Sequence, residues 1–105
     1  MLISLLSFNI FASSHDEVVH LLTFIEKTEC KYERNGTMHT GAEAVKHINK
    51  KYRYYLDDIK SAEDFIKYAA TKSAMSGKHY KIHCADKAVM KSQDWLLIEL
   101  KKVRK

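Results

Sequence analysis

The chain has 105 residues, 46% of them hydrophobic and 30% charged, with a formal net charge of +5 and a pI near 9.2. That length supports one hydrophobic core and no second domain, and the balanced composition without a low-complexity run excludes a disordered chain. Proline is absent, so element boundaries are read from glycine, caps and periodicity.

From Met1 to Ser14 there is no charged side chain, and Leu2 to Ala12 form an apolar stretch. It is shorter than the roughly 20 residues a membrane-spanning helix needs, so no transmembrane span is expected. It fits the apolar region of a signal peptide, with Ala12 and Ser14 as the small residues read when cleavage falls before His15. The usual basic start is missing, and a buried N-terminal segment is the alternative. The expected organisation is a signal peptide over residues 1–14 and a single α+β domain over 15–105, located in the periplasm or secreted. The two cysteines, Cys30 and Cys84, suit that address, where an even count in a small domain favours a bridge; a cytosolic chain would keep two buried thiols. A bridge closing about 55 residues stabilises by on the order of 4 kcal/mol in the chain-entropy account.

A first helix is predicted from about His15 to Thr28, because Val18, Leu21, Leu22 and Ile25 recur at helical spacing and Asp16 and Glu17 occupy the first turn. Ser14 with Glu17 reads as its capping box, in competition with cleavage after Ser14. From Cys30 to Arg34 the period becomes two, which marks a strand, and Asn35-Gly36 turns the chain into a short return, Thr37 to His39. Thr40 with Glu43 opens what is expected to be the longest helix, with Val45, Ile48, Tyr52, Tyr55, Leu56 and Ile59 inward and Glu43, Lys46, His47, Lys50 and Lys51 outward. A third helix starts at Ser61, buries Phe65, Ile66, Ala69 and Ala70, and is expected to stop before Gly77. His79 to Cys84 alternates as a half-buried strand, and Ser92 is read as the cap of a last helix carrying Trp95, Leu96, Ile98, Leu100 and Val103.

The two longer strands suggest one pairing. If they run antiparallel with Cys30 opposite Cys84, Tyr32 faces Ile82, Arg34 faces Tyr80, and both apolar faces fall on one side. Directly opposed residues lie about 4.5 to 5.5 Å apart at Cα, within the reach of a disulfide. The expected fold is α+β: four helices with a small antiparallel sheet, strands at about 30–34 and 79–84, closed by Cys30–Cys84.

Arg34-Asn35-Gly36 with His39, Glu43-Ala44-Val45 with His47, Ala62-Glu63 with Phe65-Ile66, and Ser73 with Ser76-Gly77-Lys78 and Tyr80 together give a fairly specific pattern from about Cys30 to Trp95. On these residues the chain resembles the YfeK-like family of short bacterial envelope proteins with a domain of unknown function. The resemblance implies a signal peptide and an envelope address, and no known activity.

The candidate chemistry centres on Arg34, Asn35, His39, Glu43 and His47, which the hairpin brings to the start of the long helix, where Glu43 and His47 share a face and free amides favour an anion. With Ser73 and Ser76 closing it, this becomes a pocket for an anionic or polar ligand. The bland alternative pairs Arg34 with Glu43 or a helix end and leaves His47 solvated. No third metal ligand is placed beside Glu43 and His47, and His79 and His83 lie about 13 Å apart on a strand, so neither metal nor other cofactor is expected. Ser73 and Ser76 lack a strand-to-helix elbow, and no C-x-x-C is present. Lysine and arginine gather at Lys46, Lys50, Lys51 and Arg53 and at Lys101, Lys102, Arg104 and Lys105. These are either solvated faces and a frayed tail, or a surface for an anionic envelope component or another envelope protein; export puts nucleic acid out of reach. The leading expectation is a small exported, non-enzymatic binding or accessory protein of the bacterial envelope. The rival is a small hydrolase or metal-dependent enzyme using His47, Glu43 and Ser76.

Overall fold

A computed structural model describes residues 13–105, so of the expected leader only Ser13 and Ser14 fall inside the described region. The first helix, α1, spans Ser14–Lys27, one residue earlier than its periodicity suggests. Ser13 is its cap, accepting from the Asp16 amide at 3.1 Å, while the Ser14 hydroxyl donates to the Lys60 carbonyl. The Ser14–Glu17 capping box therefore does not form. Glu17 is spent elsewhere, on Arg104.

β1 (Lys31–Arg34) and β2 (Thr37–His39) form the expected hairpin, with Asn35 at φ 53° and Gly36 at φ 80°, the two left-handed positions that a tight I′ turn demands. α2 covers Gly41–Tyr54, opened by a complete Thr40–Glu43 capping box. It equals α1 in length and ends before the inward stripe is exhausted. Leu56–Asp58 is a single 3₁₀ turn, which rotates Leu56 out of the stripe and leaves it exposed.

α3 is short, Ala62–Ala69, capped by Ser61 on the Asp64 amide. It stops well before Gly77: Ala70 N makes the last helical bond, to the Ile66 carbonyl at 3.0 Å, and the Thr71 hydroxyl turns back onto the same carbonyl at 2.7 Å. Residues 71–80 instead fold on themselves: Ser73 N donates to Lys78 O, Gly77 N to Ser73 O, and Tyr80 N to Thr71 O. β3 is Lys81–His83, shorter than predicted, and β4, Met90–Lys91, had no alternation by which to be foreseen. α4 spans Ser92–Val103 without a side-chain cap; Ser92 is buried and bonds the Tyr32 hydroxyl instead. Ile98, expected inward, is half exposed.

The four strands make one antiparallel sheet ordered β2-β1-β3-β4. Its central register sets Lys31 opposite His83, Tyr32 opposite Ile82 and Glu33 opposite Lys81, the pairing inferred from the two apolar faces. The Cys30–Cys84 disulfide closes the same ladder one step on, with Cα atoms 4.4 Å apart. α1 packs on the other three helices, and the core lies between them and one face of the sheet, where Leu21, Ile25, Ile48, Phe65, Leu96 and Ile82 are all at most 1% exposed. Each such side chain stabilises by about 1.5–3 kcal/mol through removal from water. No described helix is long and apolar enough to cross a membrane.

Candidate functional site

Three pieces of chain meet on the face where the hairpin joins α2. The I′ turn holds Arg34 and Asn35 at the end of β1. α2 presents Glu43, His47 and Lys51 at successive i,i+4 positions on one face. The folded loop 71–80 adds Ser73 and, at its end, Tyr80. Tyr80 is 1% exposed, yet its hydroxyl reaches the surface network: His47 Nε2 is 3.1 Å away and Lys51 Nζ 3.2 Å. Lys51 also donates to the Lys72 carbonyl at 2.8 Å and lies 5.0 Å from the Tyr80 ring centroid.

Electrostatics here are one-sided. Burial lowers the pKa of His47, and the nearby charges of Arg34, Lys51, Lys50 and His39 lower it further. Lys51 is lowered by burial and then by Arg34. Burial raises the Tyr80 phenol, partly opposed by Arg34. A neutral imidazole is thus favoured, and its Nε2 can accept a hydrogen bond from the phenol while Lys51 donates to the phenol oxygen. Among the described residues Arg34 enters no ion pair, so its charge faces the site uncompensated.

Two concavities share these residues. A cleft of about 10 Å³, the room of a single water, lies among Tyr32, Arg34, His39, Glu43, His47 and Tyr80. Beside it an open groove of about 350 Å³ is lined by Arg34, Asn35, His47, Lys51, Tyr54, Tyr55, Ser73, Met75 and Tyr80. Among the described residues no carboxylate lines the groove. Glu43 stays at the cleft, where its Oε1 accepts from the Thr40 amide and lies 3.8 Å from His39 Nδ1; that amide bond chiefly lowers its pKa.

Arg34, His39, Glu43 and His47 therefore converge, as do Arg34, Asn35, His47 and Ser73. Ser76 does not line either concavity; its hydroxyl donates to Asn35 Oδ1 at 2.6 Å and holds the turn. The pairing of Arg34 with Glu43 and a solvated His47 are both absent. At the helix N-terminus the capping box occupies the Thr40 and Glu43 amides, and the cationic groups gather further along α2. Lys51, Tyr54, Tyr55 and Tyr80 were missed. Lys51 was legible as the next i+4 step after His47, whereas the outward reach of a buried Tyr80 had no local signal. His83 pairs with Glu33 at 2.6 Å across the sheet. Among the described residues no three His, Cys, Asp or Glu side chains gather as a metal site.

A family of unknown function, DUF5329, matches residues 12–104. The chain is similar to the uncharacterized protein YfeK of Salmonella typhimurium strain LT2, 32% identical over 71 residues, which covers 65% of this chain and 59% of that protein. The aligned region thus spans less than two thirds of the relative's length. No solved structure matches. The extent of the family match, together with the YfeK-like pattern across the hairpin, α2 and the loop 71–80, places this chain in the family of unknown function DUF5329.

Proposed function

We propose that the chain is a small exported, non-enzymatic binding or accessory protein of the bacterial envelope, which holds an anionic ligand in the groove beside Tyr80. The observation that carries this is the convergence of Arg34, Lys51 and His47 on one groove with no carboxylate in its lining. Folding brings these groups together against their mutual repulsion, and a bound anion relieves it. Arg34 supplies a planar fork for a carboxylate or phosphate, and Lys51 a point charge.

Export is supported by the apolar stretch Leu2–Ala12 and by the Cys30–Cys84 bridge, which persists in oxidising compartments. A leader over residues 1–14 and a mature chain from His15 follow from that proposal. Intact mass of the protein from its native host tests it: a chain starting at His15 with both cysteines protected until reduction is expected, and a chain retaining Met1 with two free thiols overturns it.

Binding is tested by NMR titration with a panel of acetate, inorganic phosphate, glucuronate and glucose 6-phosphate, reading the His47 ring and the backbone of Lys51. At least one member is expected to shift both in the native chain and neither in Arg34→Gln. Silence across the panel overturns the reading. Hydrolysis has no such support, since the Ser76 hydroxyl is held by Asn35 rather than by His47.

A further inference from the structure

The groove also carries features that a bare anion site does not need. Tyr54 is 80% exposed, yet its ring is set edge-on against Tyr55, with centroids 4.8 Å apart and planes at 86°. Tyr55 is in turn stacked on Tyr68, centroids 5.5 Å apart at 29°. The result is a braced aromatic corner open to water, at the same groove as Arg34 and Lys51. Tyr54 thus presents a flat apolar ring face with a polar tip to whatever enters the groove.

Hydrogen-bonding groups sit alongside. Ser73 is 7% exposed and its hydroxyl oxygen accepts from Asn35 Nδ2 at 3.4 Å and from the Ser76 amide at 3.3 Å. Among the described residues that hydroxyl donates to nothing, which leaves its proton for an incoming acceptor. The Asn35 side chain is oriented by its bonds to Ser73 and Ser76. A groove of about 350 Å³ falls at the small end of ligand clefts, which run from about 300 to 1,000 Å³.

The geometry points to a sugar acid, one or two saccharide rings bearing a carboxylate or phosphate, as the ligand: the acid on Arg34 and Lys51, a ring face on Tyr54, which Tyr55 braces, and ring hydroxyls on Ser73 and Asn35. An aliphatic anion would leave the aromatic corner unused, and an aromatic acid would leave the Ser73 donor without a partner. The inference rests on the anion-binding reading of this groove and narrows it.

The test is calorimetric titration of the disulfide-bonded chain with glucuronate, glucose 6-phosphate, glucose, acetate and benzoate, repeated with Tyr54→Ala. Tyr54 is exposed enough that its removal leaves the core intact. Glucuronate or glucose 6-phosphate is expected to bind at least about tenfold tighter than acetate, benzoate or glucose, and Y54A is expected to lose most of that advantage while leaving acetate unchanged. Which of the two sugar acids binds tighter identifies the acid group. If acetate equals the sugar acids, the anion site stands and the sugar is excluded. If benzoate is preferred, the ligand is an aromatic acid and the inference is likewise overturned. If glucose binds as well as glucuronate, the charge is irrelevant and the anion reading falls with it.

Discussion

Arg34 is placed where it costs the fold something and leaves its charge available. After burial, it is the next cause that lowers the pKa values of both His47 and Lys51, and among the described residues it forms no ion pair with a carboxylate. Arg34→Gln is therefore expected to leave the melting temperature unchanged or slightly raised while abolishing anion binding. A clear loss of stability would make Arg34 structural instead. His47 gives the matching pH dependence. Its folded pKa lies below the ordinary 6.5, so its contribution to stability is present above pH 6.5 and lost as pH falls through the folded value. A bound anion reverses the preference by favouring imidazolium, so affinity should tighten below pH 7, and His47→Gln should remove both slopes. Titration at several pH values, alongside chemical denaturation, reads the two together. A different residue-scale bond lies in the core, where the buried Tyr32 phenol, its pKa pushed well up by burial, meets the Ser92 hydroxyl. Ser92→Ala leaves that phenol without a partner and should cost about 1–3 kcal/mol in urea unfolding. In the double variant with Tyr32→Phe the costs should fall short of their sum, because each removes the same bond.

At the scale of elements, the close approach of α1 and α2 depends on Gly41. A Cβ there would lie 2.2 Å from the Ile25 carbonyl oxygen and 3.0 Å from that of Glu26, backbone atoms that cannot swing aside. Gly41→Ala should destabilise by about 1–3 kcal/mol, with the melting temperature as the readout and Ala42→Gly, one residue along, as the control. What was legible in the sequence was what is decided locally. Thr40 with Glu43, Ser61 at the start of α3, and Asn35-Gly36 act through bonds or dihedrals within a few residues, and each element they open appears where expected. Several of the misread positions are those whose partners are distant in sequence. Ser92 looks like a cap, yet its hydroxyl serves Tyr32, 60 residues earlier. Glu17 looks like half of a capping box and is committed to Arg104, 87 residues later. The two-residue β4 is defined by Ile82 and Lys81 opposite it rather than by any pattern of its own. The candidate site divides the same way: its hairpin and helix members were readable, while Tyr80 joined only once the loop 71–80 had folded back.

Across the whole molecule, two long-range ties hold the ends of the domain. The disulfide closes 54 residues of separation, and its loss through Cys30→Ser with Cys84→Ser should cost on the order of 4 kcal/mol, a large fraction of what a domain this size has to spare. The second tie corrects the picture of a frayed basic tail. Arg104, just past α4, donates two bonds of 2.9 Å to Glu17 of α1 and bonds of 2.6 and 3.0 Å to Glu63 of α3. Glu17 is buried while Arg104 and Glu63 are exposed, so this fork stands between an exposed pair worth about 1 kcal/mol and a buried one whose rupture costs about 3. The bonds to Arg104 hold both carboxyls below their usual 4.5. A lowered folded pKa contributes stability that is present above pH 4.5 and disappears as pH falls through the lowered values. Arg104→Gln should therefore cost between about 1 and 3 kcal/mol at pH 7, and the gap to the native chain should narrow as pH falls below 4.5. Urea unfolding at pH 7 and at steps down through the acid range measures both, and a gap that never narrows would mean that the Arg104 stem packs the helix ends together and its charge does not.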